Sequence, residues 1–291
     1  MSRERDVQSS NIASMFGCNT YSYMRSHGAE ACLARLADLG FAEFEVMAHP
    51  GHLWPADLSP EQRRILRRQI EACGIRLVSL NMPNVDINVA AAAPGMRAYS
   101  LDLVTEIVRL AGDLGARGVV IGPGKPNPLF PAPAAELIGH FFAALDRIAP
   151  VAEASGTALW VENMPFAFLP AIGELLDALK QYGNDKVRIV YDIANAYFIG
   201  EDFVEGLKQC QAHLALVHLS DTGRQFYRHD PVGLGTVPFA GVPSALAAVG
   251  YNARSNPKPM LEIVSRDPDR DIIASAGKLA VLGFTSPDHM Q

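Results

Sequence analysis

The sequence predicts an α/β fold, a single-domain (β/α)8 TIM barrel over residues 1–291. Eight short apolar runs, most of them rich in β-branched residues, read as strands buried on both faces of a parallel sheet. Amphipathic helical patterns lie between successive runs, which is the signature of repeated βα units. Length agrees, since 291 residues is close to the ~250 typical of such a barrel. A doubly wound open sheet is the alternative, weakened because no G-x-G-x-x-G turn follows the first run. No Pro/Gly/Ser-rich linker divides the chain, so one domain is expected.

The elements follow in order. Ala13 to Tyr21 is the first run, and a helical stripe over Ala29 to Leu39 leads to Gly40. Phe41 to Ala48 is the second; Ser59-Pro60 then opens a helix that reaches Cys73 and stops at Gly74. Ile75 to Asn81 is the third, followed by a helix over Ser100 to Leu114 that Gly115 closes. After the fourth run, Arg117 to Gly122, the residues Leu137, Ile138, Phe141, Phe142, Leu145 and Ile148 share one helical face. Ala158 to Asn163 is the fifth, with a helix over Ile172 to Tyr182 behind it. Val187 to Asp192, Leu214 to Asp221 and Pro259 to Val264 complete the eight.

Composition excludes several classes of function. No stretch reaches the ~18 apolar residues of a membrane span, and the N-terminus has no apolar signal region, which predicts a soluble cytoplasmic protein. A formal charge of -6, with no basic run longer than Arg63 to Arg68, argues against a nucleic-acid partner. That run reads as the solvated face of a helix. Cys18, Cys32, Cys73 and Cys210 share no C-x-x-C spacing and sit among apolar neighbours, so they are expected to be buried free thiols.

Chemistry is expected at the strand ends. In a (β/α)8 barrel the C-terminal ends of the strands meet at one mouth, however far apart they lie in the chain. The fifth run, "ALWVEN", carries Glu162 and the sixth ends in Asp192, while the seventh carries His218 and the eighth Glu262. A lone carboxylate there is ordinarily an ion-pair partner or a helix cap, and a lone histidine a satisfied core residue. Four such groups on successive strands are a different matter. Three clustered carboxylates repel and take up protons unless a cation meets them. An oxygen-rich set with one nitrogen suits Mn2+, Mg2+ or Co2+ better than a structural zinc site. Glu45, His49 and Asn81 lie at the ends of the second and third runs, and Lys125 lies in "GPGKPNP" after the fourth, where it reads as a solvated lysine, with a contact to a substrate phosphate or carboxylate as the alternative. Trp54 and Phe166 are candidates for an apolar wall or a subunit contact.

"WVENMP", "YDIANAY", "VHLSD", "RHDPVGLG" and "LEIV" together resemble the sugar isomerase/epimerase superfamily with a xylose-isomerase-like barrel. That superfamily includes ketose 3-epimerases, inosose dehydratases and endonuclease IV, and the resemblance runs from about Met15 to Asp267. It implies that Glu162, Asp192, His218 and Glu262 ligate one divalent metal, Mn2+ first with Mg2+, Co2+ or Zn2+ as alternatives, and that the two glutamates also act as acid and base. By the same likeness Arg224, six residues after the histidine, contacts a substrate hydroxyl. Departures stand beside these matches. Asn195 occupies the place of a frequent histidine, Phe168 that of a second glutamate, and Tyr227 that of an aspartate in the endonuclease motif. Asn195 can hydrogen-bond a substrate but cannot carry a proton. His229 occupies an endonuclease zinc position, yet too few of that cluster's other ligands are present, which favours one metal and a substrate or supporting role for His229.

The function so implied is a metal-dependent sugar, sugar-phosphate or polyol isomerase or epimerase. Glu162 and Glu262 would move an α-proton through a metal-stabilised enediolate, with Arg224, Asn195, His229, Glu45 and Asn81 around the substrate. An inosose-type dehydratase on the same site is the alternative, followed by an endonuclease-like hydrolase and a non-catalytic sugar-binding protein. The expected partner is a small sugar or polyol, and the expected assembly a homodimer or homotetramer.

Overall fold

A computed structural model describes residues 12–82, 86–252 and 255–284. Eight parallel strands close into a barrel in sequence order: β1 (Gly17–Asn19), β2 (Glu43–Met47), β3 (Arg76–Asn81), β4 (Gly118–Ile121), β5 (Ala158–Glu162), β6 (Arg188–Asp192), β7 (Leu214–Leu219) and β8 (Met260–Leu261). The barrel read from the apolar runs is therefore the fold. Helices wrap it: α1 (Ala29–Asp38), α2 (Pro60–Ala72), α3 (Pro94–Leu114), α4 (Ala134–Ala154), α5 (Ile172–Tyr182), α6 (Ile193–Ile199), α7 (Phe203–Cys210), α8 (Val242–Ala248) and α9 (Pro268–Ala280). None of the described helices is long and apolar enough to cross a membrane.

Strand alternation sorts the core into two parts, because successive side chains point to opposite faces. Leu159, Val161, Ile189, Tyr191 and Val217 face outward into the layer between sheet and helices. Val78, Val120, Trp160, Val190, Leu216 and Met260 face inward and pack as a separate cluster inside the barrel. On four successive strands the next inward residue after such an apolar plug is polar: Glu162 after Trp160, Asp192 after Val190, His218 after Leu216, Glu262 after Met260. The apolar layer thus makes a dry floor beneath those four groups.

Local chemistry explains the helix boundaries. Ser59 accepts from the Gln62 N–H while the Gln62 side chain accepts from the Ser59 N–H, a reciprocal cap, with Pro60 at the first helical position. Gly115 ends α3 at φ 77°, a left-handed conformation that costs glycine no Cβ clash. Two expectations change. The helix expected from Ser100 begins at Pro94, whose fixed φ suits a helix start even though the early turns face solvent and carry no apolar stripe. Cys73 is exposed rather than buried, because it caps the end of α2 at the surface; Cys18, Cys32 and Cys210 are buried thiols as expected. Periodicity does not mark α6 or α8, each too short for a pattern of period 3.6 to repeat, whereas α7 buries Phe203, Gly206, Leu207 and Cys210 at helical spacing.

Candidate active site and metal centre

Register brings the four polar groups level. Asp192 pairs with His218 and His218 with Met260 across neighbouring strands, while Glu162 is the last residue of β5. Glu262 stands one residue beyond β8, and its N–H donates to the Leu219 carbonyl at 3.1 Å, which extends the strand direction to it. One ligating atom from each of Glu162, Asp192, His218 and Glu262 lies within 4.8 Å of the others, and all four residues are buried. They form one group of potential metal ligands among the described residues.

The Asp192 carboxylate divides its two oxygens between two tasks. Oδ1 accepts from the Asn195 N–H at 2.6 Å and so caps α6, which follows β6 with no intervening loop. Oδ2 is buried with no hydrogen-bond partner and lies 3.8 Å from His218 Nδ1. Asn163 steadies this corner: its Nδ2 donates to the Asp192 carbonyl at 3.1 Å and its Oδ1 accepts the Asp192 N–H at 2.7 Å. Helix cap and potential ligand are therefore two atoms of one side chain.

His218 is held between two acidic sides. Its Nε2 lies 3.1 Å from Glu45 Oε1; its Nδ1 lies 3.3 Å from Glu162 Oε1 and 3.2 Å from Glu262 Oε2. Neither nitrogen has the alignment of a hydrogen bond. Glu45 is itself anchored from three sides, accepting from Asn19 at 2.6 Å and Asn81 at 3.0 Å on Oε1 and from Ser79 at 2.6 Å on Oε2. Asn19 and Asn81 also reach Glu262 Oε1, at 3.2 and 3.5 Å. Glu45, expected to contact substrate, instead lies fully buried beneath the site against His218. Asn19 and Ser79 carry no signal of this in the sequence beyond their places on β1 and β3.

Electrostatics agrees with a site suited to a cation. Burial, reinforced by neighbouring Glu262, pushes both the Glu162 and Asp192 carboxyls up to about 8. Burial alone would depress the His218 imidazole, but Glu45, Glu262 and Glu162 outweigh it and raise it well above its ordinary value. Glu262 goes the other way: His218 and His229 overcome burial and hold it below the usual range. Orphaned Asp192 Oδ2 and His218 Nδ1, converging with two more carboxylates, fit a divalent cation bound by three oxygens and one nitrogen. Glu45, 3.1 Å from His218 Nε2, would then be the acidic partner on the far side of the imidazole.

A cavity of about 730 Å3 opens above this group. Asn81, Glu162, Asn195, His229 and Glu262 line its polar side. Asn195 Nδ2 donates to Glu162 Oε1 at 3.3 Å and to the Asn163 carbonyl at 2.9 Å, and Asn195 Oδ1 accepts from the Tyr227 hydroxyl at 2.8 Å. That hydroxyl is also 2.6 Å from His229 Nε2. Because Tyr227 commits its one proton to Asn195, His229 Nε2 must be the donor, and His229 Nδ1 faces Ser220 Oγ at 2.9 Å. Burial, then Asp192, Glu162 and Glu262, raise the Tyr227 phenol well above its ordinary range and keep it a donor. The sequence places Tyr227 only as a departure from a motif, whereas here it ties His229 to Asn195 and so to Glu162.

Other expectations separate. Lys125 lines the cavity half-buried, with burial lowering its ammonium from the ordinary value, rather than standing fully solvated. Phe166 also lines the cavity, whereas Trp54 packs against the outer core. His49 borders a separate surface hollow with Pro50 and Gly51. Arg224 is exposed, its guanidinium carbon 4.3 Å from the centre of the Tyr197 ring, and is not among the residues lining the cavity.

The family described as "Xylose isomerase-like TIM barrel" matches residues 33–279. The chain belongs to that family. Among its relatives, this xylose isomerase-like barrel is 25% identical over 226 residues to the uncharacterized protein MJ1311 of Methanocaldococcus jannaschii, covering 76% of this chain and 75% of that one. It is 26% identical over 228 residues to an L-ribulose 3-epimerase of Mesorhizobium japonicum, covering 76% of this chain and 72% of that one. Among solved structures, a D-tagatose 3-epimerase-like protein superposes with a TM-score of 0.78 over 95% of this chain and 99% of its own at 22% identity, a likeness of fold.

Proposed function

We propose that this xylose isomerase-like barrel is a divalent-metal-dependent epimerase or isomerase of a sugar or polyol. One observation carries the reading: Glu162 and Glu262 flank His218 Nδ1 at 3.3 and 3.2 Å beside the orphaned Asp192 Oδ2, at the floor of a cavity large enough for a small molecule. Similarity to a protein named L-ribulose 3-epimerase supports it. Glu162, Asp192, His218 and Glu262 would hold the cation, Mn2+ first, and a cation there supplies Lewis acidity that makes a C–H beside a carbonyl more acidic.

The chain's own residues do the rest. One of Glu162 and Glu262 accepts the proton from the carbon next to the carbonyl, and the other delivers a proton to the opposite face. Return to the same carbon inverts it; return to the former carbonyl carbon, with the hydroxyl proton passing from the neighbouring oxygen to the former carbonyl oxygen, isomerises the sugar. Reversibility makes each carboxylate a base in one direction and an acid in the other. Asn195 holds Glu162 in place through its Nδ2, and Asn81 and His229 offer polar atoms to substrate hydroxyls from the cavity wall. Glu45 acts through His218. A substrate contact by Arg224 would require it to leave the Tyr197 ring.

Exchange of the substrate α-proton with solvent deuterium, scanned over ketoses, keto-inositols and sugar phosphates with and without added Mn2+, tests the proposal. Glu162→Gln and Glu262→Gln are each expected to reduce exchange by on the order of 10²–10⁴-fold while circular dichroism stays that of the folded barrel. Full exchange in either variant removes that residue as acid or base. Loss of water from the product would assign a dehydratase instead.

A further inference from the structure

The cavity has two unlike sides. The polar floor occupies only part of it; Met47, Met82, Met164, Phe166 and Val264 line much of the remainder. Phe166 is 60% exposed and Val264 41% exposed, so both present apolar surface to whatever fills the mouth. Phe166 is braced: its ring stands edge-on to Tyr227 at 5.3 Å and 89°, and to Phe198 at 6.0 Å and 60°, while Phe198 and Tyr227 are 5.3 Å apart. Tyr227 in turn is pinned through its hydroxyl to Asn195 and His229. The aromatic shelf is thus built rigidly onto the same side chains that hold Glu162, which gives it a defined position relative to the floor.

Size and chemistry both speak against a bare ketose as sole occupant. A volume of about 730 Å3 lies within the range of about 300–1,000 Å3 that holds drug-sized ligands. A free ketose has a hydroxyl or carbonyl on every carbon, and pressing those groups against methionine and phenylalanine would strip them of water without replacement hydrogen bonds. Confined to the floor, it would leave the apolar side untouched. A second group with a flat π face matches that side, because aromatic rings pack on one another face to edge or offset.

Building on the proposed proton-transfer chemistry, we infer that the substrate is an aryl keto-glycoside: a sugar ring bearing a ketone, linked to an aryl group that rests on Phe166, Met164 and Val264. The ketone-bearing ring sits over Glu162 and Glu262, and the appended group fills the apolar half of the cavity. Lys125, Arg228 and Arg266 also border the mouth, so a phosphorylated ketose is the rival occupant that an experiment must separate.

The experiment compares α-proton exchange for three probes with the Mn2+-supplemented protein: 4-nitrophenyl 3-oxo-β-D-glucopyranoside, free L-ribulose and D-fructose, and L-ribulose 5-phosphate. The glycoside is expected to exceed the free ketoses in kcat/KM by at least about tenfold, and Phe166→Ala to cut that ratio about tenfold, chiefly through the KM of the glycoside. Equal rates on glycoside and free ketose, or a preference for the phosphate, overturn the keto-glycoside and leave the epimerase or isomerase reading standing. Exchange with none of the probes or the wider ketose panel removes both. If Phe166→Ala changes the molecular mass in solution but not the glycoside KM, the shelf packs another copy of the chain and the inference falls.

Discussion

Asp192 shows how one residue can serve structure and chemistry at once. Its Oδ1 caps α6 and its Oδ2 faces the cluster without a partner. Asp192→Asn separates the tasks, since asparagine caps a helix as well as aspartate does. We expect the variant to lose no more than about 1 kcal/mol of metal-free stability, yet to lose at least about tenfold in Mn2+ affinity by isothermal titration. Unchanged affinity would mean that Oδ2 is not a ligand. Tyr227→Phe probes the second shared residue. Removing the hydroxyl that joins His229 Nε2 to Asn195 Oδ1 should cost roughly 1–2 kcal/mol in kcat/KM, about tenfold, because a buried acceptor on Asn195 is left unmet. If the exchange rate is untouched, the chain from His229 to Glu162 has no part in positioning.

Among the elements, the staves of the barrel rest on close packing inside it. A Cβ added at Gly118 of β4 would come within 2.4 Å of the Trp160 ring on β5, and that ring belongs to the layer directly beneath the candidate ligands. Gly118→Ala is therefore expected to destabilise the fold by about 1–3 kcal/mol in urea titrations, since the rigid ring cannot give way without moving its neighbours. A neutral outcome would show that the interior layer is looser than its packing implies. Elements also account for what periodicity misses. With β6 running straight into α6 and β8 only two residues long, the boundaries fall where capping and register decide, and neither leaves a repeating pattern.

For the whole molecule, the buried carboxylates link stability to pH and metal. Glu162 and Asp192, raised from 4.5 and 3.8 to about 8, bind protons in the folded chain that the unfolded chain has already released. Their cost to folding is absent below about pH 4 and grows until the folded groups ionise near pH 8. His218, also raised, contributes stability that is lost as pH rises through its folded value, so the two effects share a sign. Chelator-treated protein should accordingly lose Tm as pH rises from 5 to 8, by roughly 2–4 °C for each kcal/mol lost. Added Mn2+ should restore the lost stability most strongly near pH 8 and release protons on binding near neutral pH, seen as a buffer-dependent binding enthalpy. A Tm that rises with pH in the metal-free protein would contradict the burial of uncompensated carboxylates.

The barrel and its four candidate ligands were legible without coordinates because both follow from local pattern plus one geometric rule. Short apolar runs rich in β-branched residues, with period 3.6 between them, specify βα units, and strand ends of a closed parallel barrel converge, so Glu162, Asp192, His218 and Glu262 had to approach one another. Tertiary structure alone decided which neighbours support them. Asn19 and Glu262 are joined across 243 residues of sequence, and Glu45 is claimed by Asn19, Ser79, Asn81 and His218 from three other strands. Arg224 turns onto Tyr197 instead of into the cavity, and Tyr227 turns into it. The physical reason is the same in each case: the direction of a loop side chain and the identity of a buried polar group's partner depend on contacts between distant segments, and no local periodicity encodes them.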